Sequence, residues 1–529
     1  MTLVHLSRRG ALFGFATASV AGPTGCLAAP LTPGSLLDYL PPGQHRAIAL
    51  GRSEYDCAPE LQRAIGETAA AGVTLVVPKG IYMLAPAHTL HHADRNFECL
   101  AAARIVSGMR LLGESGAVLR MISGFSSNSR PRAMVMFGTD EPCADIDVSR
   151  LVLDMNGRQN PISPGRREGI YSRFPQAQIF VSSRGARSPA RIDRARISDV
   201  EFHDANGVSC IVMAQNEDRN AALGRDWTVE RCAFRQNGLD TDDHSSIFAY
   251  ADEVNVRQCR FGNIEAYGPT GVNTAYEVHG SRQRITGSSF DNSLRGIWVA
   301  NNYVTVTRGT VIEDNDFATL FYGVDFFHDR AGAHPVRETT SSRNRFRFDD
   351  RQIASAPRLD MKAAVQVASE FAQQAIKING NHVAKTGHAV TSAFLVVTGG
   401  AQGHLRHDDI TASENTGSGL TFGTFLRTTA TAGLGRLILV RNKWTNLAPS
   451  ALMRIAAGDA VERSGVSQPI ASLTLGGGIA VPAPGQSPSV RETFINTTVQ
   501  QLRSATGTNH LATRRRWELG GGGRILAGQ

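Results

Sequence analysis

A chain of 529 residues with 42% hydrophobic content is far too long to be marginal and can bury one very large core or several ordinary ones. Its 53 glycines and only 19% charged residues point to many turns and short strands rather than long exposed helices. The formal net charge of +8 favours an anionic partner, but the basic residues are nearly all Arg and scattered, with no basic stripe carrying interleaved aromatics, which speaks against nucleic acid.

The first predicted element is an export signal. "SRRGALFGFATASVAG" places Arg8 and Arg9 directly before a weakly apolar run ending in small residues, and it resembles a twin-arginine signal. Cleavage near Ala28 makes residues 1–28 the signal and the mature chain periplasmic or secreted; a lipid attachment at Cys26 is the alternative. No later stretch reaches the roughly 18 to 20 apolar residues of a membrane span. Six Cys follow the signal, at 57, 99, 143, 210, 232 and 259. Their spacing fits no zinc pattern, so buried thiols are expected, with disulfides permitted but not required.

A short helix comes next. "APELQRAIGETAAAG" sets Leu61, Ala64, Ile65 and Thr68 on one face, with Asp56 as a cap and Gly72 as the stop. "VTLVVPKGIYML" then reads as a β-run broken by Pro78 and Gly80. "HTLHHADRN", His88 to Asn96, has the look of a metal cluster but reads as a loop insertion with no fitting fourth ligand.

Further on a phrase recurs: an aliphatic residue, a position that repeats in kind, then an aromatic or bulky residue. It appears as "ISDVEF", "VERCAF", "VRQCRF", "ITGSSF" and "IEDNDF", ending at Phe202, Phe234, Phe261, Phe290 and Phe317, and continues to Phe346, Val383 and Trp444. The interval scatters around about 30 residues, the window of solenoids and arrays. A second alternating strand follows each phrase, as in "GIWVAN" and "GVDFFH", without helical periodicity between. Short strands with one residue type recurring at one position are what a parallel β-helix requires, because coils stack about 4.8 Å apart and like side chains form ladders. Cys232 over Cys259, and Asn315 over Asn344 over Asn381, are the expected ladders.

The capping helix followed by Pro78, Gly80 and Tyr82, with "RLLGESGAVLRM" and "LVLDMNG" as the next coils, resembles the pectate-lyase-like superfamily of right-handed parallel β-helices, including the polygalacturonase and rhamnogalacturonase group. The resemblance covers roughly residues 50 to 450. The expectation is therefore an all-β chain, a single-stranded right-handed parallel β-helix over 50–482 with an N-terminal capping helix, and a terminal cap and flexible basic tail over 483–529.

In such a fold a site appears as polar and aromatic residues at equivalent positions of adjacent coils. "TAYEVHG" puts Tyr276 and Val278 inside and Glu277 and His279 outside. Aligning the second strands by their glycines places Glu277, Trp298 and Asp325 in one outward column, with His279 in the next. Just upstream, "NGLDTDDHSS" packs Asp240, Asp242, Asp243 and His244 into one loop. Polygalacturonases carry Asn-Thr-Asp, Asp-Asp, Gly-His-Gly and Arg-Ile-Lys on successive coils. Asp240-Thr241-Asp242-Asp243 resembles the first two compressed together and Val278-His279-Gly280 the third; the fourth place reads Gly296-Ile297-Trp298-Val299, with neither the Arg nor the Lys.

Asp242, Asp243, Glu277, His279 and Asp325 are accordingly the candidate catalytic residues, with Trp298, Arg282, Arg295, Asp240 and His328 as candidate sugar contacts. Inverting hydrolysis needs an acid and a base roughly 6.5 to 9.5 Å apart, which these carboxylates can supply. The expected function is carboxylate-based cleavage of an acidic polysaccharide, without a required cofactor. β-Elimination on a uronate polymer is the first alternative, with Arg282, Arg295 or His279 assisting and Ca²⁺ held by Asp240, Asp242 and Asp243. Epimerisation and a non-catalytic glycan-binding or adhesin role are the others.

Overall fold

The computed structural model describes residues 33–91, 98–125, 132–161, 176–182, 190–213, 224–238, 244–262, 273–291, 293–300, 306–319, 321–326, 335–349, 362–367, 373–387, 390–398, 408–428, 434–447, 451–457, 470–476, 479–482, 497–502, 516–519 and 523–527. They form a right-handed parallel β-helix, with three sheets of 17, 13 and 15 strands among the described residues. That hand is the one parallel crossovers take. One coil shows the plan: Ala251–Arg257 lies in the first sheet, Arg260–Phe261 in the second and Thr274–Val278 in the third, before Arg284–Thr286 returns to the first. The helix Ala58–Ala71 caps the N-terminal end. It buries Ala58, Leu61, Ala64, Ile65 and Thr68 and stops at Gly72, whose φ is 69°. Asp56 Oδ1 accepts from the N–H groups of Ala58 and Ala85 at 3.0 and 2.9 Å, so one carboxylate ties the helix start to the coil beneath it.

The recurring phrase is the corner between the first and second sheets. At each corner one residue takes left-handed backbone: Asp199, Arg231, Gln258, Asp314, Arg343, Glu414 and Arg441 all have φ between 52° and 57°. For a non-glycine residue this costs roughly 1–2 kcal/mol, and the stack offsets it. Arg231 N–H donates to Arg257 C=O at 3.0 Å and Asp314 N–H to Ser342 C=O at 3.2 Å. The exposed side chains pair across coils, as Arg231 with Asp199 at 2.7 Å and Arg343 with Asp314 at 2.8 Å. Beside them Glu230 is gripped by Arg196, Arg231 and Arg257. Although burial opposes it, these guanidiniums hold the Glu230 carboxyl down at about 2. A share of the arginines behind the positive charge is thus spoken for inside the fold.

The residue after each corner turns inward and supplies the ladders. Asn315, Asn344, Asn381 and Asn415 each pass a side-chain N–H to the oxygen of the next Asn, at 3.1, 3.0, 3.0 and 2.9 Å, the last acceptor being Asn442. The ladder runs two coils beyond the three residues read from the sequence. Two residues on, Phe202, Phe234, Phe261, Phe290, Phe317 and Phe346 stack with centroids 4.7 to 4.9 Å apart, the spacing of the strands themselves. Cys232 lies over Cys259, and all six thiols at 57, 99, 143, 210, 232 and 259 are free and buried; burial pushes Cys57 up to about 12 and drives Cys210 and Cys232 upward as well.

The export signal lies outside the described residues. In the segment expected to be a cap and loose tail, Thr497–Leu502 pairs antiparallel with Ile470–Gly476, and Arg516–Leu519 with Gly523–Ala527. No helix among the described residues is long and apolar enough to cross a membrane.

Candidate functional site

The third sheet positions the chemistry. Its strands Ser245–Ala249, Thr274–Val278, Arg295–Val299, Tyr322–Phe326 and Lys362–Val367 pair in the register Phe248, Glu277, Trp298, Asp325, Gln366. The residues on either side of that column, such as Tyr276 and Val278 or Val324 and Phe326, belong to the main core. Alternation therefore turns the column outward. Gly296 and Gly323 set its approach, because a Cβ at either would stand 2.5 or 2.2 Å from the Phe317 or Phe346 ring. The glycines that aligned the sequence are there because the phenylalanine ladder occupies the space.

The column is not an open ribbon. Glu277 is 5% exposed, His279 2% and Asp325 0%, while Trp298 and Arg295 are half-buried. Buried charged groups require partners, and each has them. Ser245 Oγ–H donates to Glu277 Oε1, and His279 Nε2 lies 2.9 Å from Oε2, so both oxygens of an acceptor-only carboxylate are occupied. The His279 ring sits among Phe248, Tyr250 and Trp298, at 4.5, 6.0 and 6.2 Å between centroids.

Asp325 is held differently. Arg295 Nε lies 2.8 Å from its Oδ2, Gln366 Nε2–H donates to Oδ1 at 3.1 Å, and the Arg295 guanidinium rests 4.9 Å from the Trp298 ring. Burial pushes the Asp325 carboxyl above its ordinary range, against the downward pull of Arg295 and Gln366. Both carboxyls are engaged on both oxygens, and burial raises that of Asp325, which suits it to the acid's part in acid–base work.

Other residues nominated from the sequence fall elsewhere. Arg282 is not brought to this cluster: it has left-handed backbone, φ 55°, on the far side of a turn, where Glu253 and Asp252 hold it at 2.9 and 3.4 Å. Asp240, Asp242, Asp243 and His328 lie outside the described residues. His244 is fully buried beside Cys210. Its Nδ1–H donates to Gly207 C=O at 2.7 Å, and burial brings its pKa down to about 4, so it is a neutral prop behind Ser245. The His88 segment is not all loop, since His88–Leu90 is a strand antiparallel to Glu98–Arg104. Among the described residues no three His, Cys, Asp or Glu converge as metal ligands.

Sequence reasoning passed over Ser245 and Gln366. Gln366 is the next residue of the same column, so extending the alignment one coil further would have found it; Ser245 is in register with Thr274 rather than with Glu277, and nothing in the column marks it.

The comparisons with known proteins bear on the scaffold. No family model matches this chain, and no curated protein does. Among solved structures it is similar to the tailspike protein of E. coli bacteriophage HK620 in complex with pentasaccharide, with a TM-score of 0.51 and 14% identity over 81% of this chain and 67% of that one. Two variants of that tailspike, also with pentasaccharide, give TM-scores of 0.53 and 0.54 at 14% identity, each covering 85% of this chain and 78% of theirs. At this identity the likeness is one of fold, a parallel β-helix.

Proposed function

We propose that this is an exported glycan-cleaving β-helix, acting by hydrolysis at the outward face of the third sheet. The observation that carries the reading is the placement of Glu277 and Asp325 in one register column, two coils apart, with Trp298 between them. Two coil spacings put the backbones about 9.6 Å apart, just above the roughly 6.5 to 9.5 Å that separates the carboxyl groups of an inverting pair. Asp325, raised by burial, is the acid that protonates the leaving oxygen. Glu277, steadied by Ser245 and His279, is the base that takes a proton from water. Trp298 offers an aromatic surface to the sugar ring. The oligosaccharides held by the tailspike structures support a glycan as the ligand class, and the twin arginines at Arg8 and Arg9 support export.

Elimination is the second reading, favoured by Arg295 and His279 beside the column. It needs a cation able to neutralise a uronate, and Arg295 already faces Asp325. A polysaccharide panel analysed by mass spectrometry tests both. Hydrolysis yields ordinary reducing ends, whereas elimination yields products lighter by one water with absorbance from a new double bond. Turnover that survives unchanged in both Glu277→Gln and Asp325→Asn overturns the site.

A further inference from the structure

Resting on that reading, we propose that Thr274 is a positioning residue for the reaction, its hydroxyl holding the water from which Glu277 takes a proton. The third sheet carries a second outward row beside the carboxyl column. Ser209, Ser245, Thr274 and Arg295 are in register on four successive coils, about 4.8 Å apart from one to the next. Ser245 reaches out to Glu277 and Arg295 to Asp325, so row and column share one side of the sheet, and Thr274, between those two in the row, faces the same way. Further along, Tyr322 and Ala363 of the row pack with Val396 of the column in a cluster separate from the main core.

Each member of the row meets the column residue one coil further on. Ser245 finds a carboxyl there in Glu277, and Arg295 finds one in Asp325. Ser209 and Thr274 stand instead before Phe248 and Trp298, a phenyl ring without a polar atom and an indole that can only donate. Both hydroxyls are buried, and among the described residues neither oxygen makes a hydrogen bond. A buried hydroxyl left so is costly, and a water relieves it. At Thr274 that water is within reach of Glu277, three residues along the same strand. Ser245 and His279 take one site on each Glu277 oxygen, and a carboxylate has roughly four. The water gives a proton to Glu277 as its oxygen bonds to the anomeric carbon, while the Thr274 hydroxyl fixes the direction of attack. The bond to the leaving oxygen breaks as Asp325 protonates it.

The experiment compares three variants of the full chain. Thr274→Val keeps the shape and removes the hydroxyl, Thr274→Ser keeps the hydroxyl, and Ser209→Ala removes the equivalent group two coils before Glu277. On the polymer that the unsubstituted chain cleaves, Thr274→Val should lower kcat at least about tenfold with KM unchanged. Thr274→Ser should restore most of that loss, and Ser209→Ala should leave both constants alone. The unfolding midpoint of Thr274→Val should not fall, because a methyl replaces a hydroxyl that the fold does not bond. Crystals of the unliganded protein should show a water within about 3 Å of both Thr274 Oγ1 and the Glu277 carboxylate, lost in Thr274→Val. Undiminished turnover in Thr274→Val, a fallen midpoint, or a Thr274 hydroxyl with no water beside it overturns the inference and leaves the carboxyl pair standing. A raised KM with kcat kept makes Thr274 a substrate contact and overturns it as well. An unsubstituted chain that cleaves no polymer overturns the glycan reading itself, and this inference with it.

Discussion

Arg295 and Asp325 face each other across neighbouring coils at 2.8 Å, one half-buried and the other fully so. The pair sets a limit on how far burial can raise the carboxyl, since Arg295 and Gln366 both pull it down.

The pH profile of turnover should report that limit. An acid that must be protonated loses activity as pH rises through its pKa, so the alkaline limb follows Asp325. Arg295→Gln should move that limb upward by about 1 unit or more, because an opposing charge at this range is worth roughly 1–3 units. Gln366→Ala should move it the same way by less. A limb unmoved in Arg295→Gln rules out Asp325 as the acid.

The asparagine ladder should be most sensitive at its middle. Asn344 accepts from Asn315 on its oxygen and donates to Asn381 and to Ile312 C=O, so Asn344→Ala strands buried groups on two coils. The expected loss is about 2–4 kcal/mol in chemical denaturation. Asn442→Ala, which removes the acceptor for Asn415 alone among the ladder residues, should cost about half that. Equal losses at both positions would show the ladder to be a set of independent bonds.

Stability should fall on mild acidification because of His244. Its folded pKa of about 4 lies below the ordinary 6.5, so the folded state prefers the neutral ring. The contribution is fully present above about pH 6.5, declines as the unfolded chain takes up the proton, and is lost as pH falls through about 4. His244→Gln, which keeps a donor for Gly207 C=O, should flatten the decline between pH 6.5 and 4 in thermal unfolding scans. An unchanged slope removes His244 as its cause.

The six core thiols should be inert in the folded protein. Burial keeps all six out of reach and pushes the thiols of Cys57, Cys99, Cys143, Cys210 and Cys232 upward, so a thiol reagent should label Cys57, Cys99, Cys143, Cys210, Cys232 and Cys259 only after denaturant is added. Rapid native labelling of Cys232 or Cys259 would mean that the corner between the first and second sheets opens on its own.

Much of this fold was legible because stacking forces like onto like. A residue that fits one corner fits the next, so Asn315, Asn344 and Asn381 and the six phenylalanines announced themselves by recurrence. Glu277, Trp298 and Asp325 were legible for the same reason, through glycines that mark where the phenylalanine rings intrude. What recurrence does not carry is which unlike side chains meet within a coil or across neighbouring coils. The pairing of Glu277 with His279 and of Asp325 with Arg295 joins residues of different types, which no recurrence announces. Ser245 and Gln366 were missed because a single serine or glutamine on a strand resembles ordinary surface.

The unequal coil lengths have a consequence for how such a chain can diversify. Successive ladder asparagines are separated by 29, 37, 34 and 27 residues, yet their amides remain in register throughout. The scaffold therefore tolerates insertions and deletions wherever they fall between strands, while a single-residue change between a corner and its asparagine would throw every inward side chain of that coil out of step. Variation is channelled into the connecting segments, so the rim of a cleft can be rewritten while the spine that holds its carboxylates stays put.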